Sequence, residues 1–121
     1  RLRIPNGETN RRKTVNAICP NFIHSLDGIG GLLGHTLNLA SASGTKSVMT
    51  IHDSINVLAS DVDTMHHSVR QATVDLFQLN QLEILARQLE MLLPIGVSLP
   101  SVPDMGTLEV SDVLKSKYYF N

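Results

Sequence analysis

Asp53 is the residue whose neighbours best equip it for chemistry. It stands in Thr50-Ile51-His52-Asp53-Ser54-Ile55, a lone carboxylate beside an imidazole with apolar residues on both sides. A carboxylate between two apolar strands is costly unless it reaches solvent at a tip or meets a cation. Mg²⁺ is commonly held by one or two carboxylates together with substrate phosphates and water. A hairpin tip would push one such carboxylate into a cleft, as a metal-assisted in-line displacement requires. The same polar residues would also make an ordinary turn. A two-metal site needs a second carboxylate, and Asp27, Asp61 and Asp63 are the nearby candidates in sequence. Asp61 and Asp63 flank a helix start, where capping and dipole interactions account for them.

Other constellations lead less far. His24 follows Pro20-Asn21-Phe22-Ile23 and precedes a glycine-rich run, where an imidazole could donate to a minor-groove acceptor, a sugar oxygen or a nearby backbone carbonyl. His66 and His67 are adjacent, and adjacent histidines on a helix point about 100° apart, so surface roles fit them better than a shared zinc. Ser25 and Ser54 lack the Gly-x-Ser-x-Gly turn of a hydrolase nucleophile. Gly28-Ile29-Gly30 is not a dinucleotide fingerprint, because the third glycine would fall on Leu33 and no strand precedes the run.

Several elements would position these residues. Residues 1–19 read as a basic strand and loop arm, with a turn at Pro5-Asn6-Gly7 and with Pro20 ending any local ladder. A helix is expected over about 25–43, capped by Ser25 or Asp27 and stopped by Gly44. Its four clustered glycines imply that a backbone or a ligand passes close by. Residues 46–59 read as an antiparallel hairpin around the three-residue centre His52-Asp53-Ser54. Residues 61–93 carry apolar positions at spacings of three and four, which predicts helix with a potential break near Asn80. Residues 94–107 contain three prolines and two glycines and read as loop. Leu108–Val110 reads as a short strand, followed by a helical turn or two and an aromatic end, Tyr118-Tyr119-Phe120.

Totals set the outer bounds. The chain has 121 residues, enough for one domain that buries about two-thirds of its unfolded surface. It is 42% hydrophobic, which argues against wholesale disorder. Net charge is only -1, but Arg1, Arg3, Arg11, Arg12 and Lys13 are half of the ten basic residues. Such an arm suits an anion such as a phosphate backbone, or simply solvent. Cys19 is the single cysteine, so no intrachain disulfide forms, which fits a reducing compartment. No apolar run is long enough to span a bilayer, so no membrane role is expected. The chain starts at Arg1 without a signal peptide, as expected of a piece trimmed or cut from something longer.

Pro20-Asn21-Phe22-Ile23-His24-Ser25-Leu26-Asp27, followed by Ile51-His52-Asp53-Ser54, resembles the bacteriophage-type single-subunit RNA polymerases, a family that includes mitochondrial RNA polymerases. Asp61-Val62-Asp63 and the stretch from Leu108 to Asn121 fit as well, so the resemblance covers about residues 11–121. It implies an α+β fragment of a right-hand polymerase fold, a palm β-hairpin packed by helices. Residues 20–121 would be the C-terminal palm segment, with 108–121 as a terminal foot. His52 and Asp53 would be catalytic, with Asp53 a ligand of the Mg²⁺ ions. His24, Arg12, Lys13 and Ser54 would meet nucleic acid. Tyr119, Phe120 and Asn121 would fold back toward the active site. The family's other metal-binding aspartate and its nucleotide-selecting helix lie upstream, and bulkier residues usually stand where this chain has Gly30, Gly31 and Gly34. The implied partners are a DNA template, NTPs, the RNA product and the remainder of the polymerase. The implied setting is the cytoplasm of a phage-infected cell or the mitochondrial matrix. Two alternatives stand beside this reading: a non-catalytic remnant or subunit that binds nucleic acid or a partner chain, and a DNA polymerase relative.

Overall fold

The computed structural model describes residues 7–119. Its elements are the helices α1 (Arg11–Asp27), α2 (Leu32–Ala42), α3 (Val62–Phe77) and α4 (Gln81–Glu90), and the strands β1 (Val48–Ile51) and β2 (Ser54–Val57). Two short 3₁₀ segments, Ala59–Asp61 and Val110–Lys115, complete the order. The class is α+β, as expected. The strand reading of residues 1–6 lies outside the described residues.

Residues 11–19 are helical, not the expected arm. Asn10 caps α1 by accepting a hydrogen bond from the Lys13 N–H at 3.0 Å. Arg, Lys and Ala then favour continuation. Pro20 sits inside α1 instead of ending a segment. It removes the donor that would reach Asn16, and both residues are exposed, so water can reach the freed carbonyl. Ser25 and Asp27 lie at the end of this helix and do not cap the next one. The Ser25 hydroxyl donates back to the Phe22 carbonyl at 2.7 Å.

The glycine run makes the corner between α1 and α2, so the helix expected from about 25 begins at Leu32. The reason is close backbone approach: a Cβ on Gly31 would overlap the Leu26 carbonyl, and one on Gly34 the Ile29 carbonyl. The backbone that the glycines admit is therefore the chain's own.

α2 packs on α3 through Ala40, Met65 and Val69, all buried. The hairpin lies against this seam. Its register pairs Val48 with Val57 and Thr50 with Ile55, which puts Val48, Ile55 and Val57 on the face that meets the cluster. Met49 and Ile51 occupy the opposite, exposed face. The connection is a two-residue loop, since Ser54 pairs with Ile51. The break near Asn80 forms, and Asn80 caps α4 by accepting from the Glu83 N–H. Leu108 and Glu109 form no strand; a 3₁₀ segment starts at Val110 and packs against α3.

The surface departs from that of a compact domain. The chain exposes 9896 Å², whereas a folded monomer of 13.3 kDa exposes about 6500 Å². Neither α1 nor α4 contains a buried residue. Val15, Ile18 and Ile23 on α1, and Leu82, Met91, Leu92 and Ile95 in and after α4, are exposed. Among the described residues no helix is long and apolar enough to cross a membrane.

A polar tie crosses the α2–α3 seam. His35 Nε2 donates to Asp75 Oδ2 at 2.8 Å. That bond, then a second from Gln71, holds the Asp75 carboxyl below the usual carboxylate range. A lowered value in the folded state stabilises the fold above the ordinary Asp value of about 3.9, and the contribution disappears as pH falls through the folded value. Both side chains are more than a third exposed, so the contribution is under about 1 kcal/mol. In urea melts, Asp75→Asn is expected to lower stability by that amount at pH 7. The gap to the parent chain closes as pH falls through the lowered folded-state value of the Asp75 carboxyl.

Candidate functional site

The β1–β2 turn is the centre of the site. His52 and Asp53 form the two-residue loop, and His52 has φ 56, in the left-handed region. A positive φ at the first loop residue matches the twist that tight hairpins require. Histidine enters this region more readily than most residues other than glycine, yet the conformation is still strained. The expected three-residue centre is thus a two-residue turn, with Ser54 already in β2. His52, Asp53 and Ser54 are all exposed.

Two open clefts flank the turn. The first, about 650 Å³, is lined by His24, Asp27 and Gly28 from the end of α1, Leu32, Leu33 and Thr36 from α2, His52, Asp53 and Ile55 from the hairpin, and Val69. The second, about 560 Å³, is lined by Asp53, Ser54, Ile55 and Asn56, by Met65, His66 and Val69, and by Tyr119. Asp53 belongs to both.

The fold therefore brings His24, His52 and Asp53 to one cleft, and Ser54 and Tyr119 to the other. Arg12 and Lys13 are exposed in the first turn of α1 and line neither cleft. Asp61 and Asp63 stand at the start of α3 and line neither. Phe120 and Asn121 lie outside the described residues. Two features went unread in the sequence. Thr36 is 1% exposed, and its Oγ1 has no hydrogen-bond partner among the described residues. The end of the chain is tied to α3: Arg70 donates to the Ser116 carbonyl from Nη2 at 3.0 Å and Nε at 3.3 Å. Thr73 donates to the Val69 carbonyl, which leaves its oxygen to accept from the Tyr119 hydroxyl at 2.9 Å. Thr36 did leave a signal, as a polar residue amid Leu32, Leu33 and Leu37.

Among the described residues, no group of three or more His, Cys, Asp or Glu side chains is placed to hold a metal by itself. The chemistry of Asp53 fits one ligand position of a Mg²⁺ ion whose remaining ligands come from elsewhere. The Asp53 carboxylate is exposed at a tip and makes no hydrogen bond or ion pair among the described residues. Mg²⁺ accepts one or two carboxylates and takes its other ligands from substrate phosphates and water.

Comparison with known proteins bears on what such a site belongs to. The family model described as DNA-dependent RNA polymerase matches residues 3–95. The chain is 36% identical over 112 residues to a protein of Arabidopsis thaliana named DNA-directed RNA polymerase 1, mitochondrial; the match covers 91% of this chain and 11% of that protein. It is 36% identical over 110 residues to DNA-directed RNA polymerase 1A of Nicotiana tabacum, covering 91% of this chain and 68% of that protein. It is 35% identical over 112 residues to DNA-directed RNA polymerase 3B, chloroplastic, of the same plant, covering 91% of this chain and 11% of the relative. The chain thus spans about a tenth of the length of the first and third relatives and about two-thirds of the second. No solved structure matches it.

The strained turn gives a direct test. His52→Gly is expected to leave hairpin stability unchanged or raise it by up to about 1 kcal/mol. His52→Val, a β-branched residue forced to positive φ, is expected to lower it by about 1–2 kcal/mol. Urea unfolding of the two variants checks the ordering; equal stabilities would show that the turn is not held at positive φ.

Proposed function

This chain belongs to the DNA-dependent RNA polymerase family, and from that premise we propose that it is the C-terminal palm segment of a single-subunit, right-hand enzyme. In that enzyme it serves template-directed transfer of nucleoside monophosphates from NTPs to an RNA 3′ end. The observation that carries this reading is the meeting of His24 and Asp53, distant in sequence, on one cleft beside a turn held at positive φ.

Each residue has a role in this reading. Asp53 holds divalent cation at the turn, and the carboxylate completing the pair comes from the remainder of the polymerase. Bound Mg²⁺ supplies charge stabilisation for the attacking and leaving oxygens of the in-line displacement. His52 fixes the turn and approaches the RNA 3′ end. His24, across the cleft, donates to the minor groove of the newest base pair. Ser54 and Tyr119 line the opposite side of the turn. Arg12 and Lys13 reach the phosphate backbone from the start of α1, where the positive end of the helix dipole adds to their attraction for an anion. The foot continues from Tyr119 through Phe120 and Asn121.

The surface supports a large permanent partner. The chain exposes roughly half as much surface again as a compact monomer of its mass, an excess in the range of obligate interfaces. The unburied helices α1 and α4 would supply such an interface. In this reading the chain alone is inactive, because it supplies one carboxylate of the pair and only part of the nucleic-acid contacts. The name of the Arabidopsis relative, mitochondrial, supports the mitochondrial alternative, and that of the second tobacco relative, chloroplastic, widens it to an organellar setting.

The test is Asp53→Asn in the complete polymerase, or in this chain complemented by the remainder. Mg²⁺-dependent RNA extension is expected to fall on the order of a thousandfold or more. Undiminished extension by the variant would remove Asp53 from the metal site. Nucleic-acid binding by this chain with no extension on complementation would favour a non-catalytic remnant.

A further inference from the structure

The first cleft contains more hydrogen-bonding capacity than the proposed metal role uses. His24, Asp27, His52 and Asp53 all line it, and none of the four side chains makes a hydrogen bond or ion pair among the described residues. Thr36 lines it too, 1% exposed and with its hydroxyl oxygen unpartnered among the described residues. A buried hydroxyl without a partner is unfavourable in a folded chain, so a ligand that meets it gains by doing so. Leu32, Leu33, Ile55 and Val69 give the same cleft an apolar wall. Polar groups of this kind beside an apolar wall suit a sugar and its base.

We propose that Asp27 and Thr36 form the sugar-recognising wall of this cleft, with Asp27 accepting a hydrogen bond from the 2′-hydroxyl of the RNA 3′-terminal nucleotide. The inference rests on the polymerase reading of Asp53. If the 3′ oxygen of the growing chain sits at Asp53, the vicinal 2′-hydroxyl of the same ribose lies in the same cleft. That hydroxyl is a donor and needs an acceptor. An ionised carboxylate is an acceptor with no proton to give, and Asp27 is the cleft carboxylate that the metal role leaves unused. Thr36 can donate to or accept from the same sugar. A 2′-deoxy terminus leaves both groups without this partner, and sites built to bond a hydroxyl reject analogues that lack it. Asp27 is then a specificity residue for a ribose primer end, and Thr36 assists it.

The test compares extension of two primers that differ only in the 3′-terminal sugar, ribose or 2′-deoxyribose. The enzyme is the complete polymerase carrying this segment, with Asp27→Ala, Asp27→Asn and Thr36→Val as variants. The parent enzyme is expected to favour the ribose end by on the order of tenfold or more. Asp27→Ala should bring the ratio close to one, mainly by raising KM for the ribose-ended primer, and Thr36→Val should lower it partway. The ratio is independent of the fraction of enzyme that folds, since both primers meet the same preparation. An unchanged ratio in Asp27→Ala, with extension intact, overturns the assignment and leaves the polymerase reading standing. Absence of Mg²⁺-dependent extension by the parent enzyme overturns the polymerase reading and this inference with it.

Discussion

The seam between α2 and α3 is what the rest of the structure depends on. Ala40, Met65 and Val69 close it, and Val48, Ile55 and Val57 of the hairpin pack against it. Because side chains alternate across a strand, a shift of one residue in the hairpin would turn these residues outward. The apolar seam thus sets the register, and the register sets where the turn falls. His52 and Asp53 are left at the tip, between two clefts whose walls come from α1, α2, α3 and the tail. Arg70 and Thr73 bring that tail to the same place, holding Ser116 and Tyr119 on α3. A small core therefore does one specific thing, which is to fix a carboxylate on a strained turn.

The same core is too small to cover the chain. Ala40, Met65, Val69, Ala72 and Val74 are its buried apolar residues, and two of the four helices contribute none. An amphipathic helix gains most of its stability from burying its apolar face. Here α1 presents Val15, Ile18 and Ile23, and α4 is followed by Met91, Leu92 and Ile95, without cover from this chain. The excess surface and the relatives that are far longer point the same way. In the proposed reading, chemistry at Asp53 and docking on α1 and α4 are parts of one design, in which this chain supplies the turn and its two clefts and another segment covers the exposed helices.

Much of this was legible in the sequence where a physical signal was local. β-branched residues on either side of His52-Asp53-Ser54 gave the hairpin, and the period of the apolar positions gave α3 and α4 with their break at Asn80. The turn came out one residue shorter, because a histidine takes the positive φ for which Asn-Gly is the usual mark. Less legible were features set by tertiary contact. Pro20 suggests an end, yet α1 runs through it on an exposed face. The glycines suggested weak first turns of a helix, but they form a corner where Gly31 and Gly34 touch the carbonyls of Leu26 and Ile29. Asp27 was visible as a carboxylate near in sequence; only the corner after α1 carries it to the cleft of Asp53. Arg70 and Thr73 gave no sign of their role, since their partners lie 46 residues away.

Metal-directed cleavage tests the central claim most directly. Fe²⁺ exchanged for Mg²⁺ in the complete polymerase, with ascorbate and peroxide, generates hydroxyl radicals that cut the backbone around the bound ion. Cuts are expected at the His52–Asp53 turn and near His24 to Gly28, suppressed by excess Mg²⁺ and absent in Asp53→Asn. Cleavage confined to other parts of the polymerase, or cuts at the turn that persist in Asp53→Asn, would contradict a metal held by Asp53.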